Sequence, residues 1–115
     1  MSTIKDKNLA TIGQQEVDWA ARQMKVLEEI KTEFSSSKPL NGLNIGACMH
    51  VTKETANLML TLKAAGANVA LCASNPLSTK DSVAAYLSEN DIEVHAVHGV
   101  SNDDFFKHLN SVLDT

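Results

Sequence analysis

Apolar residues recur at steps of three and four through Val17, Ala20, Ala21, Met24, Leu27, Ile30 and Phe34, a spacing that gathers them into one stripe on a helix. The pattern predicts a single long amphipathic helix. It would begin near Gln14 and stop in the run Ser35-Ser36-Ser37-Lys38-Pro39, where three serines and a proline disfavour continuation. Beyond it the pattern changes. Residues 43–48, 68–73 and 92–97 are short, mostly apolar runs, the signature of strands buried on both faces. Their middles, Ile45, Val69 and Val94, lie 24 and 25 residues apart. Each interval carries a helical stripe.

In the first interval Thr55, Leu58, Met59, Leu62 and Ala65 share a face, and Gly66 stands where a helix ends in the left-handed conformation. In the second, Ser78-Thr79-Lys80-Asp81 reads as a capping box ahead of Val83, Ala84 and Leu87. After the third strand, Ser101-Asn102-Asp103-Asp104 reads as another, ahead of Phe105, Phe106, Leu109, Val112 and Leu113. Repeated strand and helix units of this length specify parallel strands joined by right-handed crossovers. The predicted fold class is α/β: a small three-layer sandwich, Rossmann- or flavodoxin-like, with about three parallel strands and flanking helices behind an amphipathic N-terminal helix. Three strands fall below the ~4–6 usual for a sheet. At least one edge is therefore expected to want a further strand.

With 115 residues, one domain over 1–115 is expected. The 43% hydrophobic and 21% charged composition excludes disorder. A net charge of −4 argues against a nucleic-acid surface, which needs clustered Lys and Arg. No apolar stretch approaches the ~20 residues that span a bilayer, so no membrane partner is expected and the chain reads as cytoplasmic. Cys48 and Cys72 lie in separate apolar runs and read as buried thiols. A disulfide is disfavoured in a cytosolic chain.

Open parallel sheets take ligands beyond the carboxyl ends of their strands, where the strand order reverses. Those ends are Met49-His50-Val51-Thr52, Ser74-Asn75-Pro76-Leu77-Ser78-Thr79 and His98-Gly99-Val100-Ser101. An imidazole at His50 could exchange a proton near neutral pH or merely bond a backbone group. Thr52 is placed to cap the next helix, with Glu54 in its first turn; both could also accept hydrogen bonds from a ligand. Asn75 could contact a ligand or brace its own turn. Ser78, Thr79 and Asp81 stand between capping and recognition in the same way. Cys48, His50, His95 and His98 would not converge as a tetrahedral zinc set, and His108 reads as solvated. No G-x-G-x-x-G and no P-loop follows any strand.

The stretch Lys38-Pro39-Leu40-Asn41-Gly42-Leu43-Asn44-Ile45-Gly46-Ala47-Cys48-Met49-His50-Val51-Thr52-Lys53-Glu54-Thr55-Ala56-Asn57-Leu58 closely resembles the amino-terminal region of the S-adenosylhomocysteine hydrolase (adenosylhomocysteinase) family. Residues 74–85, from Ser74-Asn75-Pro76 through Asp81 to Ala85, look like that family's next signature, and Val17-Asp18-Trp19-Ala20 with Met24-Lys25-Val26-Leu27 look like its opening helix. The resemblance covers only the start of a family chain. It implies the N-terminal portion of a substrate-binding domain without the NAD-binding domain, whether as a truncated piece, a proteolytic remnant or a stand-alone relative. The family reversibly hydrolyses S-adenosylhomocysteine to adenosine and homocysteine. Tightly bound NAD oxidises the ribose 3′-hydroxyl, which acidifies the C4′ hydrogen and permits elimination of homocysteine.

Carried over, the resemblance gives His50 a catalytic place near C5′, assisting proton transfer to the leaving sulfur or from water. It puts Thr52 on the sugar, gives Glu54 the adenine amino group, makes Thr55 line the pocket and leaves Asn75 nearby. Lys80 stands where the family usually has glutamine beside the adenine. Lys25 replaces a common proline and would let the first helix run straighter. His98 and Val100 also depart from the pattern. The expected partner is adenosine or S-adenosylhomocysteine; NAD is the family's cofactor, with none expected on this chain. The family is a homotetramer, a state the fragment need not inherit, and alone it is expected to be inactive. The alternative is a stand-alone nucleoside-binding or interaction module that pairs through its open sheet edge.

Overall fold

In the computed structural model, which describes residues 2–115, three strands run parallel in the order β1 (Asn44–Cys48), β2 (Asn68–Cys72), β3 (Glu93–His95). Five helices surround them: α1 (Ala10–Ala21), α2 (Lys25–Ser37), α3 (Lys53–Ala64), α4 (Asp81–Glu89) and α5 (Asn102–Leu113). A short 3-10 turn, Lys7–Leu9, leads into α1. The α/β architecture and its parallel open sheet are those the periodicity predicts.

Side-chain alternation along β2 divides the molecule into layers. Val69 and Leu71 enter the main core with Met59 of α3 and Val83 and Leu87 of α4. Ala70 and Cys72 face the other way, onto Val112 and Leu109 of α5. The α5 face is built from small residues, and a Cβ on Gly46 would sit 3.0 Å from Val112 Cγ1. Full burial of Met59, Leu71, Leu87 and Ile92 contributes roughly 1.5–3 kcal/mol each. α1 lies outside this sandwich, packed on α3 and α4.

The predicted single leading helix is instead two. α1 begins at Ala10 and the chain leaves helical geometry at Met24 (φ −115°, ψ 57°) before α2 starts. Nothing in the local composition demands this break; the packing does. Ala10, Gly13, Val17 and Ala20 bury one face of α1, and the Asn57 side chain, buried in α3, donates to the Val17 carbonyl at 3.1 Å. α2 buries no residue fully and leans on α3. One straight rod cannot make both contacts. Lys25 therefore straightens nothing: it occupies the first position of α2, where proline is readily accommodated.

Local signals hold elsewhere, with one exception. Thr52 accepts from the Thr55 amide and Ser101 from the Asp104 amide, each capping a helix. Gly66 takes φ +103° just past α3. The capping box expected at Ser78 does not form. Ser78 Oγ instead closes its own turn, accepting from the Asn75 amide at 3.1 Å and donating to the Asn75 carbonyl at 3.0 Å, so α4 starts only at Asp81.

The two sheet edges differ. Thr3 donates to the Val94 carbonyl (2.8 Å) and accepts from the Ala96 amide (3.0 Å), which covers the outer side of β3. β1 has no strand on its outer side among the described residues, and Asn44, Gly46 and Cys48 are exposed there. The order 1-2-3 contains no reversal. Two expectations about side chains fail: Cys48 is exposed rather than buried, and His108 is buried beside the sheet rather than solvated. Cys48 sits on the edge strand, and α5 turns its His108 face inward; neither arrangement is encoded locally.

Candidate functional site

The loops that follow β1 and β2 are laced together. Val51 donates to the Ser78 carbonyl (2.8 Å) and Lys80 donates to the Val51 carbonyl (2.9 Å), a parallel bridge that resumes the pairing of the two strands. Between the strands and this bridge, His50 and Ser74 stand opposite one another. Ser74 Oγ lies 2.6 Å from His50 Nδ1 and 3.3 Å from Ser78 Oγ. The bond at Nδ1 sets the imidazole's orientation and leaves Nε2 outside that contact. The third strand-end loop joins the same rim. His98 donates its amide to Asp81 Oδ1 (3.0 Å), and the Gly99 amide donates to the Pro76 carbonyl (2.8 Å).

Beside this rim lies a groove of about 630 Å³ between α2 and α3. Its walls include Val26, Leu27 and Ile30 of α2, Leu58 of α3 and Met49 at the end of β1, and Glu54 and Thr55 supply its polar edge. It exists because of the break at Met24, which sets α2 aside from α1. Met49 and His50 are neighbours in sequence, yet Met49 turns into the groove and His50 reaches across to Ser74.

The structure thus brings Glu54 and Thr55 into the groove and gathers His50 with Ser74 and Ser78 on the loops. Glu54, about half exposed, has Lys53 Nζ 3.3 Å from its carboxylate. Thr52 caps α3 through Oγ1, with 3.4 Å to both the amide and the hydroxyl of Thr55. One lone pair serves the cap and the other stays available. Asn75 braces its turn, Oδ1 accepting from the Leu77 amide at 2.9 Å and its backbone amide donating to Ser78 Oγ; the side-chain Nδ2 makes no hydrogen bond among the described residues. Lys80 points to α1, where Nζ lies 3.5 Å from Glu16 Oε2. The other Glu16 oxygen accepts from Ser82 Oγ.

Ser74 escaped the reading of the sequence as a functional residue. The signal was present in the spacing: Ile45 pairs with Val69 and Cys48 with Cys72, and the same offset of 24 carries His50 onto Ser74. The apolar groove had no such signal, because α2 contributes half of it. Cys48, His50, His95 and His98 are held by different partners. Among the described residues no group of three or more His, Cys, Asp or Glu side chains could hold a metal ion.

Fold and site define an open-sheet α/β protein that presents its polar loops at the carboxyl ends of parallel strands, where such sheets take small ligands. Comparison with known proteins is specific. The S-adenosyl-L-homocysteine hydrolase family profile matches residues 1–115. An adenosylhomocysteinase of Saccharolobus solfataricus is 50% identical over 110 residues, covering 96% of this chain and 26% of the relative. One from Aquifex aeolicus is 50% identical over 112 residues, with 96% and 27% covered. One from Pyrococcus abyssi is 44% identical over 111 residues, with 96% and 26% covered. The chain belongs to the S-adenosyl-L-homocysteine hydrolase family and spans about a quarter of the length of the curated relatives it matches.

The glycine pattern of a dinucleotide-binding turn does not follow any of the three described strands. The turn after β1 (49–52) and that after β2 (73–80) contain no glycine, and the turn after β3 has Gly99 alone. Gly99 takes φ +81°, and one glycine does not make the G-x-G-x-x-G spacing of a dinucleotide-binding turn. No helix among the described residues is long and apolar enough to cross a membrane.

Proposed function

We propose that residues 1–115 are the first portion of a substrate-binding domain and hold the purine side of a site for adenosine or S-adenosylhomocysteine. The observation that carries this reading is the groove between α2 and α3, in which aliphatic and thioether walls face one another and a carboxylate stands at the rim. A flat base seated there covers both faces with apolar contacts, and Glu54 accepts its exocyclic N–H. The Thr52 hydroxyl, at the amino end of α3, points recognition toward the sugar, with Thr55 beneath it and Asn75 at the margin. Lys80, drawn to Glu16, serves the site only if that pair opens.

His50 completes the arrangement. Its Nδ1 is held by Ser74, so Nε2 is the nitrogen that gives or takes a proton near C5′. In the whole family protein, NAD supplies a reversible oxidation of the sugar; that chemistry finds no residues here, so this chain alone binds without turnover. A fourth strand on the free side of β1 would place it on the opposite flank from β2 and β3. His50 would then sit at a reversal of strand order, the position where open sheets bind ligands. The remainder of the domain is proposed to add there.

Calorimetric titration of the 115-residue protein with adenosine tests the reading. The expected result is weak, saturable heat that is lost in Glu54→Ala. Equal heats in the two proteins, or no heat at millimolar adenosine, would overturn it.

A further inference from the structure

We propose that Cys48 and Cys72 form a reversible dithiol pair that closes to a disulfide across β1 and β2. The two residues are direct partners in the parallel register. Adjacent strands stand ~4.8 Å apart, inside the ~4.4–6.8 Å of Cα separation that a disulfide spans. Both side chains face α5, lining one hollow of about 360 Å³ with Leu109 and Val112. Cys48 already leans across the gap, its Sγ donating to the Ala73 carbonyl at 3.5 Å, next to Cys72 on the neighbouring strand.

The two thiols are unequal, which sets the order of events. Cys48 is exposed on the open edge and Cys72 is buried. Burial, then the adjoining Cys48 charge and its hydrogen bond, push the Cys72 thiol up to about 12. Cys72 therefore stays protonated at neutral pH. Cys48 is the sulfur that an oxidant reaches first, because the thiolate is the nucleophile and access is decisive.

With a hydroperoxide as oxidant, the Cys48 thiolate attacks the peroxide oxygen. The O–O bond breaks, the alcohol or water derived from the peroxide leaves, and Cys48 becomes a sulfenic acid. The Cys72 sulfur then attacks the Cys48 sulfur. The S–S bond forms, the S–O bond breaks, and the departing hydroxide takes the Cys72 proton and leaves as water. Two electrons pass from the sulfur pair to the peroxide, and a dithiol reductant returns them.

Two features keep the bond reversible. A bridge between directly opposed residues of parallel strands departs from the relaxed disulfide geometry, and strained, exposed disulfides are the easily reduced ones. β1 has no outer partner among the described residues, so the edge strand can shift to admit the bond. On each strand the crosslink falls two residues before the His50 to Ser74 contact.

Oxidation of the purified 115-residue protein by hydrogen peroxide, followed by intact mass and thiol counting, is decisive. The expected product is a monomer that has lost two hydrogens, has no titratable thiol, yields one peptide pair linked through Cys48 and Cys72, and reverts fully with dithiothreitol. Cys72→Ala should instead accumulate a dimedone-trappable sulfenic acid at Cys48, and Cys48→Ala should show no fast oxidation. Gain of oxygen at Cys48 with Cys72 still titratable, or a disulfide between two chains, would overturn the proposal.

Discussion

Replacing Gly13 with alanine opposes two effects of known sign. The glycine lies inside α1, where alanine is the better helix former by about 1 kcal/mol, so local propensity alone forecasts a more stable protein. The packing forecasts the reverse. A Cβ on Gly13 would stand 2.6 Å from the Ser82 carbonyl carbon, nearer still to its oxygen, and 3.0 Å from Tyr86 Cβ. Ordinary carbon contacts are ~3.5–4 Å, so α1 must retreat from α4 by about 1 Å. The obstacle is backbone on both sides, and no rotamer change relieves it.

That retreat loosens Val17 and Ala20, both buried on the same face, and draws Glu16 away from Ser82. Overpacking of this kind costs about 1–3 kcal/mol; with rigid backbone involved, the upper end applies. Net of the propensity gain, Gly13→Ala should destabilise the protein by about 2 kcal/mol, lowering Tm by about 8 °C for a domain of this size. Urea unfolding followed by circular dichroism measures it, with the midpoint falling and the slope unchanged. A midpoint equal to or above that of the parent protein would refute the backbone contact between α1 and α4.

Further expectations concern single groups. Thr79 Oγ1 is buried without a hydrogen-bond partner among the described residues, so Thr79→Val, which keeps the shape, should raise stability by about 1 kcal/mol; a loss of that size would mean the hydroxyl is bonded. Burial, followed by the charge on His95, lowers the His108 pKa, with Asp104 opposing. As pH falls through the ordinary histidine value of about 6.5, the unfolded chain takes the proton before the folded one, so stability should decline toward acid pH. Urea midpoints at pH 7.5 and 5.5 should show that decline, less steeply in His108→Gln; equal steepness in the two proteins would remove His108 as its source.

Much of the sheet was legible because its signals are local. The spacing of Ile45, Val69 and Val94, the caps at Thr52 and Ser101 and the left-handed Gly66 each depend on residues within one or two turns of themselves, and each forms as read. The same spacing also held the His50 to Ser74 pairing, legible only once β1 and β2 are known to lie side by side in register. Residues of the candidate site were found by their position at strand ends, while the groove they adjoin was not.

What the chain determined by itself is the succession of strands and helices and the identity of the polar groups at their junctions, because periodicity and capping act over a few residues. Tertiary structure decided the rest. The break at Met24, the burial of His108 and the exposure of Cys48 all follow from which faces meet across the fold. Contacts between residues 40 and 66 apart, Asn57 with Val17 and Ser82 with Glu16, override local preference because burying an apolar face outweighs the few tenths of a kcal/mol that separate one backbone state from another.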